Sequence, residues 1–111
     1  MGRFTSNELG SFGEAVAVSF LERHGVSVVA TNVFVHRDEI DIIYRGSKGL
    51  VAIEVKTVTT GVEPFEALTD EKMRRLRRAI AGYGKPIVGL DAIGVTIGMS
   101  GTEIRWLRGI G

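Results

Sequence analysis

The residues of this 111-residue chain best suited to chemistry are Asp41, Glu54 and Lys56, two carboxylates and an ammonium set in runs of apolar, β-branched sequence. Side chains alternate along a strand, so Glu39, Asp41 and Ile43 are expected on one side and Ile40, Ile42 and Tyr44 on the other. Glu54 and Lys56 share a side by the same rule. Carboxylates that face each other across a hairpin repel unless a proton or a cation intervenes. With no His or Cys beside these oxygens, hard Mg²⁺ or Mn²⁺ fits best, because such ions keep several waters and take one or two carboxylates plus a substrate phosphate. The expected chemistry is metal-dependent phosphodiester hydrolysis. Asp41 and Glu54 would be the metal ligands, and Lys56 would orient a water or stabilise developing charge.

Those residues need a hairpin to bring them together. Glu39 to Arg45 and Leu50 to Val58 read as strands, joined by Gly46-Ser47-Lys48-Gly49, a strong turn signal. A turn centred on Ser47 and Lys48 makes residues whose numbers sum to 95 oppose each other. Asp41 then meets Glu54, and Glu39 meets Lys56. A register slip of two keeps the four together, whereas a slip of one separates them and is opposed by the apolar alternation.

Upstream, Val16, Ala17, Phe20 and Leu21 recur at helical spacing between Ser11 and His24, with Gly25 placed to end the helix. Glu14 falls within about 20° of Leu21 on that apolar face. Two readings stand: a carboxylate compensating the helix dipole, or a further member of a metal cluster. Residues 1–10 read as an arm. Val26 to Val35 reads as a strand with a kink or bulge at Thr31 and Asn32. Thr59 to Leu68 reads as a loop, and Thr69 caps a second helix over Asp70 to Ala81. Met73, Leu76 and Ile80 form its inward stripe, leaving Lys72, Arg74, Arg75 and Arg78 as a candidate nucleic-acid-binding face or a merely solvated one. Ile87 to Ile97 and Glu103 to Leu107 complete the order as two more strands.

Composition limits the alternatives. One hydrophobic core suffices for residues 1–111, and no apolar run reaches the ~20 residues of a membrane span. The absence of cysteine excludes disulfides and thiolate metal sites. A cytoplasmic location is expected, since the first residues lack the apolar stretch of a secretory signal. A net charge of +1 makes the placement of the 14 Lys and Arg residues matter more than their total. His24 and His36 are expected at a helix end and a turn, Trp106 in the core, and Asp91 outside the catalytic set.

The series Gly13-Glu14, Asp38-Glu39-Ile40-Asp41-Ile42-Ile43, Ile53-Glu54-Val55-Lys56, Lys72 amid Arg74, Arg75, Arg77 and Arg78, and Leu90-Asp91-Ala92-Ile93 resembles the bacterial YraN family, also called UPF0102. That family belongs to the PD-(D/E)XK, restriction endonuclease-like superfamily and is similar in plan to archaeal Holliday-junction resolvases. The resemblance implies an α/β, three-layer fold with a mixed central sheet flanked by helices. It also implies Asp41 and Glu54 as metal ligands, Lys56 as catalytic lysine and Glu14 as an accessory acid. The chain departs from the family's usual pattern at Asp38, Val58 and Gly89, so two expected cations are missing near the phosphate. The function implied is a Mg²⁺- or Mn²⁺-dependent nuclease acting on structured or branched DNA, for which a C2 homodimer would match a two-fold-symmetric substrate. The alternatives are a nucleic-acid-binding module without efficient cleavage, separable by metal binding, and a structural or protein-interaction domain, separable by salt-dependent DNA binding.

Overall fold

β-branched runs cut by glycine turns form one five-stranded sheet in the computed structural model, which describes residues 5–111. The elements in chain order are α1 (Ser6–Arg23), β1 (Ser27–Val35), β2 (Asp38–Gly46), β3 (Gly49–Thr59), a 3₁₀ turn (Pro64–Ala67), α2 (Asp70–Ala81), β4 (Ile87–Gly98) and β5 (Gly101–Leu107). Helix α1 starts five residues before the expected Ser11, so residues 6–10 belong to it and not to an arm. A capping box accounts for the earlier start: the Glu8 N–H donates to Thr5 Oγ1 at 3.1 Å, and the Thr5 N–H donates to Glu8 Oε1 at 2.9 Å. Residues 1–4 lie outside the described residues.

Strands follow sequence order across the sheet, β1-β2-β3-β4-β5. Only β3 and β4 run parallel, and the crossover that parallel strands require carries the 3₁₀ turn and α2. Ala17 and Leu21 of α1 bury against Ile42, Tyr44, Ile53, Val55, Ile93 and Val95 on one face. Leu76 and Ala79 of α2 bury against Val35, Ile40, Ile43, Ala52 and Leu90 on the other. The result is the expected three-layer α/β architecture with a mixed sheet, compatible with a restriction endonuclease-like fold.

Two local features set the site's position. The β2–β3 turn has the expected register, Gly46 opposite Gly49 through Ile42 opposite Ile53, and the ladder stops there. Strands β2 and β3 therefore separate where Asp41 and Glu54 begin. Gly13 lets α1 lie almost on β3, since a Cβ there would sit 1.7 Å from Thr57 Oγ1. Any larger residue would lift α1 and its next residue, Glu14, off the sheet.

Candidate metal centre

Strict alternation fails at the residue that matters most. From Ala30 to Val35 the β1–β2 register is constant, with Thr31 opposite Ile42 and Val33 opposite Ile40, yet the intervening pair, Asn32 and Asp41, forms no rung. Asn32 has a left-handed backbone, φ 51°. Ile40 and Ile43 both pack in the α2 layer while Ile42 and Tyr44 pack in the α1 layer, so the alternation shifts phase around Asp41. The expected grouping of Ile40 with Ile42 and Tyr44 is corrected accordingly. Asp41 and Asn32 instead open together into a cleft of about 620 Å³ under α1, which Glu14 and Ile42 also line.

At the edge of that cleft Asp41 and Glu39 of β2 meet Glu14 of α1, and one carboxylate oxygen of each lies within 4.8 Å of the others. Asp41 is 7% exposed, and its Oδ2 accepts the Val55 N–H at 2.8 Å, a bond made available by the separation of β2 and β3. Burial, then the Glu54 charge, pushes the Asp41 carboxyl up to about 8, against the pull of the Val55 N–H. Glu14 and Glu39 add to that rise. Asn32 Nδ2 donates to Glu14 Oε1 at 2.7 Å and to Glu39 Oε2 at 3.0 Å. Glu54 is 3% exposed and reaches toward α2: its Oε2 meets Lys56 Nζ at 3.2 Å and Lys72 Nζ at 3.3 Å. Its Oε1 is buried without a hydrogen-bond partner.

The arrangement is one carboxylate cluster that needs a positive charge and an adjoining carboxylate flanked by two ammonium groups. Oxygen donors of this kind can hold a divalent cation. The model of the uncharacterised protein family UPF0102 matches residues 13–95, which include all of these groups. The chain belongs to family UPF0102. It is 42% identical to a UPF0102 protein of Leifsonia xyli subsp. xyli, over 94% of this chain and 96% of that one. The UPF0102 proteins of Renibacterium salmoninarum (40%, over 96% and 98%) and Mycobacterium ulcerans (38%, over the whole of both) are similar. Among solved structures, the Ca²⁺ complex of Pyrococcus furiosus SfsA aligns at TM-score 0.36 and 15% identity, covering 92% of this chain and 62% of that one, a likeness too low to bear on fold or function.

Within this UPF0102 chain, Glu14 and Asp41 come together, whereas Glu54 stands with Lys56 and Lys72 instead of opposite Asp41 in a regular hairpin. Glu39 and Asn32 were absent from the expected ligand set. The sum rule puts Glu39 opposite Lys56, and the sequence marks Asn32 only as part of a kink or bulge; an Asn in mid-strand is the signal for a left-handed residue. The basic face of α2 is also less free than expected. Arg78 holds Asp38 in a two-pronged pair, Nε to Oδ2 at 2.9 Å and Nη2 to Oδ1 at 3.0 Å, keeping that carboxyl below its usual range. Lys72 is on Glu54, and Arg74 is on Glu71. Of the four expected cations, only Arg75 forms no ion pair among the described residues. Asp91 is structural: its carboxylate accepts from Tyr44 Oη, Trp106 Nε1 and the Gly109 N–H.

Proposed function

We propose that this protein is a Mg²⁺- or Mn²⁺-dependent phosphodiesterase acting on DNA. The observation that carries this reading is the Glu14, Glu39 and Asp41 cluster together with the buried, unpartnered Oε1 of Glu54, whose charge acts on Asp41. Leaving a buried charged acceptor unsatisfied costs more than the ~1–3 kcal/mol of a neutral group, so this atom calls for a partner, which a bound cation would supply. Asp41 and Glu54, with Glu14 and Glu39, would hold the cation. Bound there, the cation would supply charge neutralisation at a phosphate and acidify a water. Lys56, half-buried beside Glu54, is placed to steady a water or a developing negative charge. Arg75, without an ion pair among the described residues, is placed on α2 to take a neighbouring backbone phosphate. The similarity in plan between the family and archaeal junction resolvases directs the search to structured or branched DNA and to a C2 homodimer.

The test incubates the protein with Mg²⁺ or Mn²⁺ and single-stranded, duplex, flapped and four-way-junction DNA, beside an Asp41→Ala, Glu54→Ala double variant. Metal-dependent cleavage of a branched substrate by the parent alone is expected. Equal cleavage by both proteins would remove the site from the reaction, and no cleavage of any substrate by the parent would contradict the activity itself.

A further inference from the structure

Among the described residues, Asn32 and His36 are the two with positive φ that are not glycine. Left-handed backbone is unfavourable for any side chain, though Asn tolerates it better than most. At Asn32 it turns the side chain under α1, beside Asp41, whereas regular alternation from Ala30 would place it in the α2 layer. Both hydrogens of one amide then serve two carboxylates on different elements, Glu14 of α1 and Glu39 of β2. Ionised carboxylates only accept, so the nitrogen and not the oxygen of the amide must face them.

We propose that Asn32 is the positioning residue of the cation site, holding Glu14 and Glu39 at ligand spacing and standing in for the cation between them. This inference rests on the metal-dependent reading above. An amide carries only partial positive charge. It offsets the repulsion of two carboxylates in the metal-free protein and yields to a divalent ion, whose full charge attracts the same oxygens far more strongly. The strained backbone is retained because a regular strand residue at position 32 would face the opposite layer. Asn32 touches neither the phosphate nor the attacking water in this scheme. It acts through Glu14 and Glu39.

Three proteins test this: the parent, Asn32→Gly, which keeps the left-handed backbone and deletes the amide, and Asn32→Asp, which keeps the shape and exchanges donors for acceptors. Mn²⁺ affinity is measured by calorimetry, and thermal unfolding is recorded with and without Mn²⁺. Asn32→Gly should unfold within a few degrees of the parent yet bind Mn²⁺ about 10-fold or more weakly, the usual loss when a group that orients metal ligands is removed. Asn32→Asp should unfold earlier than the parent without metal, and Mn²⁺ should raise its unfolding temperature by more than it raises the parent's, because the ion then relieves four facing carboxylates. Parent-like Mn²⁺ affinity in both variants would overturn the role of the amide while leaving the metal site standing. No Mn²⁺ binding by any of the three, parent included, would overturn the metal reading and this inference together.

Discussion

Asn32 and Asp41 face each other across β1 and β2 at the one position between Ala30 and Val35 where the ladder lacks a pair. Freed from that rung, Asn32 ties Glu14 to Glu39, and Asp41 reaches across to the Val55 N–H. A single irregularity thus turns two strand residues into parts of a cleft and brings a helix carboxylate to the sheet. Irregular pairing of this kind re-aims side chains where a regular sheet would bury them.

The raised carboxyl of Asp41 predicts a pH dependence of defined sign. An unfolded Asp loses its proton near ~3.9, whereas folded Asp41 holds it to about 8. Between those values the folded state binds more protons, so unfolding free energy falls as pH rises. The stability from protonated Asp41 is complete below pH ~4 and lost as pH passes through about 8. Urea unfolding in chelator from about pH 5 to about pH 9 should show this decline in the parent and a flatter profile in Asp41→Asn. Parallel profiles would show that Asp41 titrates normally. Cation binding on the low side of pH 8 should also release a proton, measurable in buffers of different ionisation enthalpy.

Gly13→Ala should destabilise the protein by about 1–3 kcal/mol, the range for forcing extra atoms into a close-packed contact. The branched Thr57 side chain cannot swing away from a Cβ that close, so α1 must move. Denaturant unfolding gives the magnitude, and a neutral result would mean that α1 lies farther from β3 than described.

How much of this was legible in the sequence follows from what is local. The two-residue turn between glycines fixed the β2–β3 register, and Met73, Leu76 and Ile80 gave the buried stripe of α2 at helical spacing. The start of α1 was missed because Gly10 and Gly13 hide its periodicity, although Thr5 and Glu8 carried the capping signal. The phase shift at Asp41 depends on the backbone angle of Asn32 on another strand, which alternation along β2 cannot reveal. The pairing of Arg78 with Asp38 was equally hidden, because it joins α2 to the start of β2, far away in sequence.

That pairing predicts unequal behaviour among the α2 arginines. Arg75→Ala should lower the slope of log K against log[salt] for duplex DNA binding by about 0.9 if it holds one phosphate. Arg78→Ala should change the slope less, since Asp38 already takes up its charge. Fluorescence anisotropy across salt concentrations measures both, and equal slopes for parent and Arg75→Ala would take the DNA path off α2.

Lys56→Ala should slow single-turnover cleavage by ~10²-fold or more with the fold intact, the scale of a positioned charge or proton-transfer group. Lys56→Arg should not restore the rate, because guanidinium differs in shape and stays protonated. An unchanged rate in folded Lys56→Ala would exclude the lysine from the mechanism.

The cation site centred on Asp41 is tested most directly by calorimetric titration of Mn²⁺ into the parent and into Asp41→Asn at about pH 8, where the buried carboxyl gives up its proton. Asparagine keeps the size and loses the charge. The parent should bind Mn²⁺ saturably, and the variant should bind at least ~10-fold more weakly while remaining folded. Equal affinity in the two proteins, or no binding by the parent, would contradict a metal centre at Asp41.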